Sequence, residues 1–309
     1  MKIGIIGDLH IAPAPANRLD DYFQTGLNKI EEIAKVVGYA IFLGDIFTNS
    51  KVDDYYKNIL ISHLFYCKSK YNCQFATIIG NHDVSHEEEI NLPNSSLGTL
   101  AACGAMTIIL PHKPLEIMDG GMEYRFHTIP VKYKNAVEYI KDKKYNYNDI
   151  LLIHHEYETG TNCFSYNDFK DLGCKMIFLG HDHKPFDEGR IIYPEFTIYR
   201  SGSIMRNRAD DYNLNRYLYY YILENNQISC QPISMLDAEK VFAVESYERL
   251  QYQKRKFSES IDTIIDKYKN NINVQDKFSI KKILKELKIP DSNINYIKDK
   301  YKQIQEVFY

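Results

Sequence analysis

What the chain lacks narrows its class first. It has no tryptophan, and its six cysteines, Cys67, Cys73, Cys103, Cys163, Cys174 and Cys230, form no CxxC pair and no dense framework. That argues against a disulfide scaffold or a cysteine zinc ribbon and for buried thiols in a reducing compartment. No apolar run approaches the roughly 18 residues of a membrane span. The opening MKIGIIGDLH is a strand-like run that meets an acid and a histidine instead of a cleavage site, so a cytoplasmic protein without membrane contact is expected. There is no internal repeat, no low-complexity linker and no dominant charge, the formal net charge being −3. With 44% hydrophobic and 26% charged residues, wholesale disorder is excluded.

What is present is enough chain for one catalytic-sized core and an appendage: 309 residues, against a prior of roughly 150 per domain. The charge is unevenly placed. From Glu248 to Tyr309 there are 14 Lys and Arg against 9 Asp and Glu, so the acidic excess lies in the earlier residues, where metal ions are expected. The basic tail reads either as a solvated helical face or as a surface for phosphates or an acidic partner.

The pattern begins as strand, helix, strand: an apolar run Lys2 to Ile6, a helix Asp20 to Val37 and a run Tyr39 to Leu43. A helix Asp53 to Cys67 and a strand Gln74 to Ile79 follow. From Thr107 the runs shorten, and Thr107 to Leu110, Leu115 to Ile117 and Tyr124 to Ile129, with the Asp119-Gly120-Gly121 turn signal, predict hairpins in a second sheet. Helices near Tyr133 to Lys141 and Tyr166 to Leu172 alternate with strands Ile150 to Ile153 and Met176 to Leu179. Strands at Ile191 to Arg200, Tyr217 to Leu223 and Gln227 to Ile233 close this region. Past Asp237 the periodicity is helical, broken at Ile289-Pro290-Asp291. The expected division is residues 1–236 as the catalytic domain and 237–309 as a helical region.

Five polar clusters each follow an apolar strand: Gly7-Asp8-Leu9-His10, Gly44-Asp45, Gly80-Asn81-His82-Asp83, His154-His155 and Gly180-His181-Asp182-His183. Any one alone is an ordinary turn. Together, at successive strand ends, they can converge on a single pocket. Asp, His and Asn suit borderline divalent ions such as manganese, zinc or iron, whereas an all-carboxylate set would indicate magnesium or calcium. Seven such ligands exceed the needs of one ion. Two ions about 3.5 to 4 Å apart, bridged by a carboxylate, clamp both the attacking and the leaving oxygen of a phosphoryl displacement, and Asp45 is the candidate bridge.

These clusters resemble the signature of the calcineurin-like metallophosphoesterases, D-x-H, G-D, G-N-H-D, H and G-H-x-H, over roughly residues 1 to 205. The resemblance implies an α/β fold, a four-layer α-β-β-α sandwich of two central mixed sheets flanked by helices, here with a C-terminal helical extension. It implies one metal on Asp8, His10, Asp45 and His183, and a second on Asp45, Asn81, His154 and His181, with Mn2+ the expected ion and Zn2+, Fe2+ or Mg2+ the alternatives. His82 would stabilise the phosphorane-like charge or protonate the leaving alkoxide, and Asp83 would orient it. Adjacent residues on a strand point to opposite faces, so only one of His154 and His155 can ligate. His154 is favoured by the similarity of His154-His155-Glu156 to related nuclease sequences.

The substrate rests on other segments. Arg200-Ser201-Gly202-Ser203-Ile204-Met205-Arg206 resembles the stretch after the last histidine motif in the SbcD family of double-strand-break repair nucleases. The segment with Asn91, Asn94, Ser95 and Ser96 resembles a loop that approaches the DNA backbone there, or is a plain surface loop. Arg200 and Arg206, with Arg208, are candidate phosphate contacts, the alternative being ion pairs with Asp210 and Asp211. The resemblance further implies an SMC-like ATPase partner of SbcC type, docked on C-terminal helices whose apolar stripes (Phe257, Ile261, Ile264; Ile280, Ile283, Leu287) equally suit self-packing. A homodimer through the face of Asp53 to Tyr71 is also implied. The expectation is a manganese-dependent DNA exo/endonuclease subunit. A phosphodiesterase of a nucleotide or small phosphoester is the alternative, and a non-catalytic scaffold is disfavoured because every ligand position is intact.

Overall fold

The computed structural model describes residues 1–12, 18–158, 162–205, 218–236 and 238–242. Arg206, Arg208, Asp210, Asp211 and the apolar stripes beyond residue 242 lie outside the described residues.

The first sheet opens with β1 (Ile3–Ile6), β2 (Tyr39–Phe42), β3 (Gln74–Thr77) and the short β4 (Thr107–Ile108), all parallel. β11 (Tyr219–Glu224) adds antiparallel to β1, and β12 (Gln227–Pro232) adds outside it, giving the order β12-β11-β1-β2-β3-β4. The second sheet runs β5-β6-β7-β8-β10-β9, built from β5 (Leu115–Asp119), β6 (Met122–Thr128), β7 (Asp149–Ile153), β8 (Met176–Leu179), β9 (Arg190–Ile192) and β10 (Thr197–Tyr199). β6, β7, β8 and β10 are parallel, and antiparallel β5 and β9 form the edges.

Both faces of each sheet are covered, which is why the central strands read as continuous apolar runs instead of alternating ones. Ile3, Ile5, Ile41 and Leu43 of the first sheet meet Phe126, Ile150, Leu152 and Phe178 of the second in the inner layer. The opposite face of the first sheet packs under α1 (Tyr22–Ala34), α2 (Asp54–Tyr71) and α3 (Ser96–Ala102). The outer face of the second packs under α4 (Tyr133–Ile140) and α5 (Tyr166–Phe169). The result is the expected sandwich of two mixed six-stranded sheets between helices.

Local chemistry sets the helix starts. The Asp21 side chain accepts from the Gln24 amide at the start of α1, Asp53 from Tyr55 at α2, and Ser95 from Gly98 at α3, each satisfying an N–H that has no partner within the helix. On α1, Phe23, Leu27, Ile30 and Ala34 recur at helical spacing and are buried. α2 buries only Leu60, Leu64 and Cys67.

Three expectations are corrected. Thr107–Ile108 is the parallel edge of the first sheet, not part of a second-sheet hairpin; only the turn at Asp119 to Gly121 makes the hairpin, β5 to β6. Residues 191–200 are two strands folded at Tyr193 to Phe196, not one. The helix beginning at Tyr166 ends at Phe169. The polar segment after Asp83 forms 3-10 turns at Ser85–Glu87 and Glu89–Asn94 that lead into α3. Ser95 caps that helix and Ser96 Oγ accepts from the Val52 amide, so both serines hold the segment to its neighbours. All six cysteines are free thiols, with Cys67, Cys73 and Cys174 buried.

Candidate metal centre

All five clusters leave the C-terminal ends of parallel strands: those after β1, β2 and β3 from the first sheet, and those after β7 and β8 from the second. Hydrogen bonds between the loops fix their approach. The amides of Leu9 and His10 donate to the Asp45 carbonyl, the His181 amide to the Asp8 carboxylate, and the Gly180 amide to the Ile153 carbonyl. Gly80 is required by this crowding, since a Cβ there would lie 2.1 Å from Asp45 Oδ1. His10, Asp45 and His181 hold left-handed backbone with φ of 54°, 47° and 76°, a strain that functional sites retain when their surroundings fix it.

Two sets of ligand atoms result. Asp8, His10 and His183 form one: His10 Nε2 is 2.8 Å from His183 Nε2, and Asp8 Oδ2 is 3.5 Å from His183 Nε2. Asp45, His154 and His181 form the other, with Asn81 Oδ1 3.0 Å from His154 Nε2 and 3.1 Å from His181 Nδ1. Asp45 Oδ2 lies 3.3 Å from His154 Nε2 and 3.5 Å from His10 Nε2, between the two sets. His154 Nδ1 donates to the Leu43 carbonyl, which turns Nε2 inward. His155 points away, its Nε2 on the Pro130 carbonyl and its ring against Tyr133 and Phe164. The structure therefore brings His154, not His155, to the cluster.

The electrostatics fit cations. Burial pushes Asp8 up to about 7 against the pull of His154, and burial followed by repulsion from Asp45 pushes Asp83 up to about 8. Burial would raise Asp45 as well, but attraction to His154 and His10 more than offsets it and holds this carboxyl below the ordinary range. His154 rises to about 10, its burial outweighed by Asp45 and Asp8. Burial lowers His10 to about 3 and His181 to about 4, leaving both imidazoles neutral at neutral pH, as ligation requires. Crowded buried carboxylates facing neutral imidazoles are costly unless a cation shares the space. Together with the mixed O and N donors, this suits two divalent metal ions.

His82 sits exposed at the rim, its ring 5.3 Å from that of His10. Its Nδ1 donates to the Thr48 carbonyl at 2.8 Å. This corrects the expectation for Asp83, which does not orient His82. The buried Asp83 carboxylate instead accepts from the Phe47 and Gly80 amides and ties the loops after β2 and β3 together. Arg200 is also corrected as a phosphate contact. It is buried, pairs with Asp182 at 3.0 Å and lies over the Phe186 ring. The Gly-Ser stretch behind it does return to the site, with the Ser203 amide on the His183 carbonyl and the Ile204 amide on the Asp8 carbonyl.

Beside the second ligand set lies a pocket of about 260 Å³, lined by Asn81, His154 and His181 and closed by Glu87, Tyr133 and Glu156. Thr48, Glu87 and Tyr133 had no signal in the sequence: Thr48 contributes a backbone carbonyl, and the other two reach the pocket from elements outside the five clusters.

Compared with known protein families, residues 1–185 match the family described as Calcineurin-like phosphoesterase. Among solved structures, a dimetal phosphatase from Danio rerio is similar at 12% identity and a TM-score of 0.47, over 77% of this chain and 97% of that one. A hypothetical protein from Thermus thermophilus is similar at 9% and 0.42, over 76% and 100%, and Vacuolar Protein Sorting 29 from Cryptosporidium parvum at 12% and 0.33, over 76% and 97%. No curated protein matches.

Proposed function

The chain belongs to the calcineurin-like phosphoesterase family, and from that premise we propose that it is a two-metal phosphodiesterase of SbcD type, a manganese-dependent DNA exo/endonuclease subunit that works with an SMC-like ATPase. The observation that carries the chemistry is the position of Asp45 Oδ2 between the two ligand sets. Asp8, His10 and His183 would hold one ion with Asp45, and His154 and His181, with Asn81 beside them, would hold the other with the same carboxylate.

Two bound divalent ions would supply a hydroxide near neutral pH and neutralise charge on the phosphoryl oxygens. The chain's own residues do the rest. The Leu43 carbonyl holds His154 through Nδ1, the Asp8 carboxylate accepts from the His181 amide, and Asp83 locks the loops that carry Asp45 and Asn81. His82, with Nδ1 engaged by Thr48, presents Nε2 at the open rim, where it stabilises developing charge or delivers a proton to the leaving oxygen. Ser201 and Ser203 are no nucleophiles, since their hydroxyls donate to the carbonyls of Gly202 and of Asp8 and Met205.

DNA as substrate is supported by the likeness of Arg200 to Arg206 to SbcD sequences, and the mildly basic residues after Glu248 suit a phosphate or partner surface. The test is manganese-dependent degradation of linear double-stranded DNA beside bis-p-nitrophenyl phosphate, with wild type and His82→Ala. Degradation of DNA by the wild type and its loss in the variant are expected. Hydrolysis of the small diester alone, even with the ATPase supplied, would overturn the nuclease reading in favour of a small-phosphoester phosphodiesterase.

A further inference from the structure

The pocket beside Asn81, His154 and His181 opens directly onto the second ligand set, so a group attached to a phosphorus held there extends into it. Its volume of about 260 Å³ falls just below the roughly 300–1,000 Å³ of common small-ligand sites, a size that suits one sugar-and-base unit. Tyr133 supplies an aromatic wall held in place: its hydroxyl donates to the Cys163 carbonyl and its ring packs edge-on against His155 and Phe164. Bases stack on such fixed rings irrespective of their identity.

Beside Val131, His155 and Asn162, the remaining lining carries two acids, Glu87 and Glu156. Glu156 Oε1 lies 3.8 Å from His181 Nε2, and Glu87 comes from the turn after β3, where His86 and Glu87 both hold left-handed backbone with φ of 59° and 54°. Carboxylates accept hydrogen bonds from sugar hydroxyls and exocyclic amines and repel phosphate. A pocket that extended a polyanionic chain past the metals would carry the opposite charge.

We propose that this pocket is a subsite for a single nucleoside, with Tyr133 stacking the base and Glu87 and Glu156 accepting its donors while excluding a second phosphate. The inference rests on the phosphodiesterase reading and sharpens it: the scissile phosphate is one that joins a terminal nucleoside, so cleavage occurs at chain ends or on nucleoside phosphodiesters.

The experiment compares three substrates of the full chain with manganese: methyl p-nitrophenyl phosphate, which offers the pocket no nucleoside; the p-nitrophenyl ester of thymidylate; and that ester carrying a second phosphate on its other sugar hydroxyl. The wild type should prefer the thymidylate ester over the methyl ester in kcat/KM by about tenfold or more, and the second phosphate should reduce that preference by about tenfold. Tyr133→Leu should abolish the preference, and Glu87→Gln should relieve the penalty of the second phosphate, each read as the ratio of kcat/KM between substrates. Tyr133→Phe, which keeps the stacking ring and its contacts with His155 and Phe164, should retain most of the preference. Equal turnover of all three substrates by the wild type, or a phosphate penalty unchanged in Glu87→Gln, would overturn the subsite. Should Tyr133→Leu not fold, Glu87→Gln at its exposed position still decides. No hydrolysis of the methyl ester by the wild type would instead sink the phosphodiesterase reading itself.

Discussion

At the level of single residues, the distinct roles of His82 and Asp83 make separable predictions. His82→Ala removes only the rim imidazole, so turnover of a generic diester should fall by about 10²- to 10⁴-fold while bound metal, counted by atomic emission, stays unchanged. Asp83→Ala leaves the buried amides of Phe47 and Gly80 without acceptors, at about 1–3 kcal/mol each. Its denaturation midpoint and its metal content should therefore drop together. If Asp83→Ala matched His82→Ala in activity with stability intact, the orienting role would be restored. The ligand candidates were legible in the sequence because Asp, His and Asn after an apolar run place polar donors where strands end. What orients His82 was not legible, because its partner is the backbone carbonyl of Thr48, and any residue type supplies one. Glu87 escaped for a related reason: its place in the pocket depends on two left-handed residues that no composition or spacing announces.

At the level of elements, α1 buries a broad face whereas α2 is held through few buried side chains, Leu60, Leu64 and Cys67. Leu60 is fully buried against the first sheet, so Leu60→Ala should cost about 2–5 kcal/mol in unfolding free energy without altering metal stoichiometry. His63 on the same helix meets the Leu27 carbonyl of α1, and its burial holds it below the ordinary histidine value of 6.5. The folded state thus resists protonation that the unfolded chain accepts, and this contribution, complete above 6.5, is lost as pH falls from there through the lowered value. His63→Asn should flatten the decline of Tm between neutral pH and mild acid; an identical slope in the variant would count against it. Strong periodicity makes α1 readable, α2 is readable from Ile59, Leu60 and Leu64 at helical spacing, and the central strands from their continuous apolar runs. The sheet that β4 joins is not legible, because two residues carry no pattern and an edge strand is placed by its neighbour, here β3. The hairpin of β9 and β10 reads as one strand because Tyr193-Pro194-Glu195-Phe196 interrupts the pattern for only a few residues.

At the level of the whole molecule, two sheets deliver five loops to one end, and the sandwich brings Asp45 between two ligand sets that neither sheet could assemble alone. Asp8, His10, Asp45 and Asn81 come from the first sheet, and His154, His181 and His183 from the second. Metal binding should consequently hold the sheets together, and chelation should lower Tm by an amount that added metal restores, since an ion that binds only the folded state stabilises it by mass action. No helix among the described residues is long and apolar enough to cross a membrane. The most direct test of the shared two-metal site is turnover of bis-p-nitrophenyl phosphate by metal-stripped protein as manganese is added, read against ions bound per chain. Activity should appear only as the second ion binds, and Asp45→Asn should abolish it. Full activity with one ion bound, or undiminished activity in Asp45→Asn, would contradict a site in which one carboxylate joins two catalytic ions.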